Sequence, residues 1–173
     1  MGTTNERGLK VGTTNVYAEP DKHDVKMTRV FDAPPALVFR AWTDPDLVRQ
    51  WMGPARLTWT ECSMDARPGG SWRWVQADEN GSYGFRGVYH DVVAPERIVH
   101  TFEFEGAPGH VSLESAIFEP YEGKTLVTMH SVYQSVEDRD AMAAAGAEEG
   151  MNEGLARLDQ ILKELQKQQA PAR

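Results

Sequence analysis

Residues 69–93 read GGSWRWVQADENGSYGFRGVYHDVV, two alternating runs on either side of an Asp78-Glu79-Asn80-Gly81 turn. In an extended chain successive side chains point to opposite faces, so Trp72, Trp74 and Gln76 share one face and Ser71, Arg73 and Val75 the other. After the turn, Tyr83, Phe85, Gly87 and Tyr89 alternate with Gly84, Arg86, Val88 and His90, and Asn-Gly between two such runs is a strong hairpin signal. One face of this hairpin is therefore crowded with rings that a lone hairpin cannot bury. Further strands must extend it, and something apolar must cover it.

The rest of the chain supplies both. The run 25–31 alternates and is rich in β-formers, which predicts a first strand. Asp32-Ala33-Pro34-Pro35 stops it, with Asp32 placed to cap a short helix carrying Leu37, Val38, Ala41 and Trp42. Thr43-Asp44-Pro45 opens a second short helix over 46–51, ended by Met52-Gly53-Pro54. Strands are then predicted near 57–64, 70–77, 83–93, 97–105, 111–119 and 124–133, joined by turn signals such as Ala94-Pro95-Glu96 and Glu122-Gly123. Links this short make neighbouring strands antiparallel. The segment from 137 to about 168 is predicted helical, because Met151, Leu155, Leu158, Leu162 and Leu165 step by four and three. That apolar stripe is the cover the hairpin needs. The expectation is an α+β domain over 23–168, with helices on one face of a sheet of about six or seven strands. A flexible polar arm over 1–22 precedes it and a frayed end over 169–173 follows.

Composition narrows the function. Over 173 residues, 18 Lys and Arg face 26 Asp and Glu, a formal charge of -8. That balance argues against nucleic acid or an anionic membrane as a partner, where basic patches carry affinity. Cys62 is the single cysteine, which leaves no intramolecular disulfide or thiolate cluster and fits the cytoplasm. The opening residues lack the basic-then-apolar pattern of a signal peptide, and no apolar run reaches membrane-spanning length. The five histidines stand singly at 23, 90, 100, 110 and 130. With no HExxH, no GxSxG elbow and no Gly-rich phosphate loop before a helix, neither a metal nor a cofactor is expected.

Phe31-Asp32-Ala33-Pro34, then Val38-Phe39-Arg40-Ala41-Trp42-Thr43-Asp44-Pro45 and Trp51, resembles the opening of SRPBCC (START-like, helix-grip) domains. The nearest branch is the one named after the C-terminal domain of the activator of the heat-shock protein 90 ATPase. Arg67-Pro68-Gly69-Gly70-Ser71-Trp72-Arg73, Gly87-Val88-Tyr89, Pro95-Glu96-Arg97-Ile98-Val99 and Thr101-Phe102 match its middle, and Thr125-Leu126-Val127, Glu149-Gly150-Met151 and Leu158 its end. The resemblance spans about 24–165. It implies a birch-pollen-allergen-like fold, a curved antiparallel sheet gripping the long C-terminal helix around a cavity for an apolar or amphipathic small molecule. Such domains include lipid and polyketide binders, cyclases, a sequestering resistance protein and chaperone activators, so the resemblance fixes fold more closely than function. Where relatives carry Trp after the Glu-Gly of the last helix, this chain has Met151, a smaller and more adaptable side chain. Relatives often pair as homodimers, and no feature here decides that.

The expected binding residues follow from these faces. Trp72, Trp74, Phe85 and Tyr89 wall either a core or a ligand, and buried indoles need partners for their N–H groups. On the strand 97–105, Ile98, His100, Phe102 and Phe104 share a face. Met151 and Leu155 look back from the helix. Glu114 alternates with Ser112, Ala116 and Phe118, and His130 with Leu126 and Thr128. If both faces turn inward, Glu114 and His130 form a polar pair on adjacent strands, able to orient a ligand or, as the only catalytic candidates, to serve as acid and base. A one-residue slip would put either in water. Gly146, Gly150 and Gly154 recur every four residues, for close packing or for ligand room, and Glu148, Glu149 and Glu153 near them are most simply a solvated face, with the pocket mouth as the alternative for Glu149. The leading expectation is non-catalytic binding of an apolar or aromatic molecule. A cyclase- or hydrolase-like enzyme and a chaperone-activating partner domain are the rivals, the last weakened because chaperone activators work with a separate N-terminal domain that a chain this short is not expected to hold.

Overall fold

The computed structural model describes residues 8–170. In chain order the elements are β1 (Thr14–Tyr17), β2 (Asp24–Phe31), α1 (Pro35–Thr43), α2 (Pro45–Trp51), β3 (Thr58–Met64), β4 (Ser71–Asp78), β5 (Gly81–Val93), β6 (Arg97–Phe104), β7 (Ser112–Tyr121), β8 (Lys124–Val132), α3 (Val136–Ala144) and α4 (Ala147–Gln169). The strands form one eight-stranded sheet in the order β1-β2-β8-β7-β6-β5-β4-β3. Every neighbouring pair is antiparallel. This is the expected α+β helix-grip architecture, with α1, α2 and α4 packed on one face. Bulges between Trp59 and Glu61 in β3 and between Tyr89 and Asp91 in β5 increase the local twist.

The strand beyond the expected count is β1, inside the segment expected to be a flexible arm. Its four residues pair with β2, and Arg29 donates to the Thr14 hydroxyl at 2.8 Å. The link to β2 is also held, since the buried Arg139 of α3 donates to the carbonyls of Glu19, Pro20 and Lys22. Residues 1–7 of the expected arm and 171–173 of the expected frayed end lie outside the described residues, while residues up to Gln169 continue α4.

The last helix is broken where one helix was expected. Gly146 adopts φ +85, a left-handed conformation that glycine enters at no steric cost, ends α3 and starts α4. At the front, Pro34 rather than Asp32 caps α1, with no side-chain bond. Asp44 caps α2 by accepting from the Asp46 N–H at 3.0 Å, with Pro45 at the first position.

The grip is specific. Arg157 of α4 donates to the Trp51 carbonyl at 2.8 Å and to the Gly53 carbonyl, and Glu153 accepts from the Ala55 N–H at 3.0 Å. A Cβ on Gly154 would stand 2.4 Å from the Trp51 carbonyl oxygen, so α4 crosses the end of α2 at a distance only glycine allows. On the far side Asp159 of α4 meets Arg29 of β2 at 2.6 Å.

Candidate functional site

The inner face of the sheet has two unlike halves. Toward α1 and α2, Phe31, Val127, Ile98 and Phe118 are covered together with Leu155 and Leu158 of α4. Toward β4, β5 and the far end of β6, Trp74, Phe85, His100, Phe102 and Phe104 keep part of their surface open. The rings there touch in series. Trp72 lies 4.2 Å from Trp74 and 5.7 Å from Phe102, and Phe85 lies 5.5 Å from Phe102 and 5.3 Å from Phe104. Trp59 meets the edge of Trp74 at 6.0 Å. The alternation of the hairpin thus builds a continuous, half-covered aromatic wall. Met151 and Leu155 pack against the core cluster from that helix, Leu155 fully buried and Met151 half-buried.

Polar groups are set into this wall. The Nε1 atoms of Trp72 and Trp74 are buried, and neither meets a protein acceptor among the described residues. Trp51 shows the contrast, its Nε1 donating to the Ala41 carbonyl at 2.9 Å. On α4, Asn152 Oδ1 is likewise buried without a donor.

At one end of the wall sit His100 and Glu114, cross-strand partners on β6 and β7. His100 Nδ1 lies 3.0 Å from the Thr101 carbonyl oxygen, and its ring meets the edges of Trp72 at 5.5 Å and Tyr89 at 5.9 Å. Burial pushes the His100 pKa below its ordinary value, against the opposing pull of the Thr101 carbonyl and Glu114. Glu114 accepts from Ser112 Oγ at 2.6 Å and Ser131 Oγ at 2.5 Å. Burial first, and Glu114 second, push the Tyr133 phenol up to about 12. Tyr89, fully covered, is pushed up by burial.

The expected pairing of Glu114 with His130 does not exist. Glu114 does face inward with Ser112, Ala116 and Phe118, but β8 turns Thr125, Val127, Met129 and Ser131 inward, so His130 points to the outer face. There its Nε2 meets Asp24 Oδ2 at 2.7 Å. The reason is register: Glu114 sits opposite Ser131 and Ser115 opposite His130. The imidazole that shares the inner face with Glu114 is His100. Of the three glycines, Gly154 serves the close packing that was one of the two expected roles, a Cβ on Gly150 would come no nearer than 3.7 Å to Pro54, and Gly146 breaks the helix instead of lying within it. Glu149 is exposed.

Ser131 and Tyr133 complete the polar end without having been expected. Ser112, placed on the Glu114 face by its two-residue spacing, joins them. Ser131 needed the β8 register. Elsewhere, a depression of about 380 Å³ opens mainly on the outer face among Arg73, Arg86, Val88, Thr101 and Glu103. Its cations are already matched, Arg73 to Glu61 and Glu105 and Arg86 to Glu103. The unpaired indole N–H groups lie on the other side of the sheet. Among the described residues no group of three or more His, Cys, Asp or Glu side chains gathers to hold a metal, and no helix is long and apolar enough to cross a membrane.

An antiparallel sheet closed over a long C-terminal helix, with an aromatic wall between them, defines a domain of the SRPBCC helix-grip class. Within that class the chain belongs to the family described as Activator of Hsp90 ATPase homolog 1-like protein, whose model matches residues 32–163. Comparison with curated proteins finds no match. Among solved structures, a protein from Rhodobacter sphaeroides is similar at a TM-score of 0.80 and 27% identity, over 88% of this chain and 99% of that one. A protein from Arthrobacter aurescens is similar at 0.77 and 26%, over 87% and 91%. One from Mycobacterium smegmatis, at 0.78 and 23% over 86% and 95%, shares the fold.

Proposed function

We propose that the protein binds an apolar or aromatic small molecule between the sheet and α4, without carrying out chemistry on it. The observation that carries this reading is the pair of adjacent buried indole N–H groups, on Trp72 and Trp74, that have no protein acceptor. A buried polar group left unpaired costs about 1–3 kcal/mol. A ligand carbonyl or ether oxygen at the wall would recover that cost at both sites. Apolar affinity would come from Trp72, Trp74, Phe85, Phe102 and Phe104 on the sheet, with Tyr89 behind them and Met151 and Leu155 on the helix. Covering such surface contributes about 25 cal/mol per Å². His100 and Glu114 would orient the polar end. The acid–base alternative built on Glu114 and His130 loses its geometry, because the two side chains lie on opposite faces. The lone, buried Cys62 suits work in the reducing cytoplasm.

Native mass spectrometry of the protein purified from its own host tests the reading. A stoichiometric apolar or aromatic compound released on denaturation is the expected result. Protein that arrives empty and stays empty through a broad screen of such compounds would overturn it.

A further inference from the structure

Between Trp72 and His100 the sheet departs from a regular ladder. Register pairs run from Phe85 opposite Phe104 and Arg86 opposite Glu103 to Tyr89 opposite His100, with no paired positions between. At the gap the Val88 N–H donates to the Thr101 hydroxyl at 2.9 Å. The Thr101 carbonyl leans instead toward the inner face, where a Cβ on Gly87 would stand 1.9 Å from its oxygen. That carbonyl is the partner of His100 Nδ1 at 3.0 Å.

A carbonyl oxygen only accepts, so Nδ1 carries the proton. A free neutral histidine side chain prefers its proton on Nε2, and this site inverts the preference. The distortion has a single beneficiary: the Thr101 hydroxyl takes over the strand bond, Gly87 makes room, and the freed carbonyl fixes the ring. Burial keeps that ring neutral. Its Nε2 is then a bare acceptor, half-buried on the aromatic wall, with no protein partner among the described residues.

We infer that His100 Nε2 selects ligands bearing a hydroxyl donor on an aromatic ring, a phenol, by accepting a hydrogen bond from that hydroxyl. This deepens the binding reading above and rests on it. Thr101 and Gly87 are positioning residues for the His100 ring, and Glu114 stands beside it as a second acceptor for a ligand with two hydroxyls.

The test uses 1-naphthol and 1-methoxynaphthalene, which share one ring system and differ in the donor, titrated by calorimetry into the full chain and into His100→Phe. Alongside it, the long-range ¹H–¹⁵N spectrum of the unliganded wild-type protein reports the tautomer of each histidine, independently of any variant. The expected results are 1-naphthol binding about tenfold tighter than its methyl ether, loss of that preference in His100→Phe with the ether still bound, and the Nδ1–H tautomer for His100. Equal binding of the two probes, a preference that survives the substitution, or an Nε2–H tautomer would overturn the inference while leaving the binding trough intact. Failure of both probes to bind the wild-type protein would overturn the trough and this inference together.

Discussion

At the scale of single residues, the half-open wall depends on side chains that were placed for their shape and then left with something to offer. Gly87 is the clearest case, since a methyl group there would collide with the Thr101 carbonyl and with Trp72 Nε1, 2.6 Å away. Gly87→Ala should lower stability by about 1–3 kcal/mol, read by chemical denaturation. His100 gives a pH signature. Its folded pKa lies below the ordinary 6.5, so the unfolded chain takes up a proton that the folded protein resists. The associated stability is fully present above about pH 6.5 and is lost as pH falls from there through the folded value. Tyr89 on β5 and Glu114 on β7 face this ring and remain in His100→Gln, so the comparison isolates the imidazole. Between pH 7.5 and pH 5.5 the wild-type denaturation midpoint should fall more than that of His100→Gln, and equal falls would contradict the assignment.

At the scale of elements, what could be read from the chain divides by range. Turn chemistry and two-residue alternation are local, and they marked β2 to β8 to within a few residues. They also put Trp72, Trp74, Phe85, His100, Phe102 and Phe104 on one face. The side of β8 that faces inward is not local. Leu126, Thr128 and His130 make as plausible an alternating face as Thr125, Val127, Met129 and Ser131, and only pairing with β7 decides between them. The greater apolar weight of Val127 and Met129 was the one available hint. β1 was missed because four residues next to a polar stretch carry little pattern, and what holds them is long-range, the ladder with β2 and the Arg29 bond to Thr14. The break at Gly146 was hidden because alanines and acids that favour a helix flank it on both sides. The helix that follows yields a paired prediction. Gly150→Ala meets only Pro54 at 3.7 Å and should stabilise the protein by about 0.5–1 kcal/mol through helix propensity. Gly154→Ala should destabilise it by about 1–3 kcal/mol, because its Cβ would meet the Trp51 backbone oxygen. Thermal unfolding of the two variants should therefore move in opposite directions.

At the scale of the whole molecule, one end of the sheet is clamped and the other stays open. Arg157, Gly154 and Trp51 fix α4 to α2, and Arg29 with Asp159 ties the same helix to β2 and, through Thr14, to β1. Arg29 is 6% exposed and Asp159 26%. Asp159→Ala leaves a buried guanidinium without its carboxylate and should cost about 2–3 kcal/mol, at or below the low end for removing one partner of a buried pair because Asp159 is partly solvated. Faster amide exchange across β1 should accompany the loss. The proposed function requires the half-covered wall on the open side to take an acceptor-bearing ligand. The five tryptophans provide the most direct measurement, the indole ¹H–¹⁵N spectrum during titration with 1-acetonaphthone, an aromatic ketone. The Trp72 and Trp74 signals should move to saturation while Trp51, already bonded to Ala41, stays in place. Stationary Trp72 and Trp74 signals at saturating ketone would contradict the account.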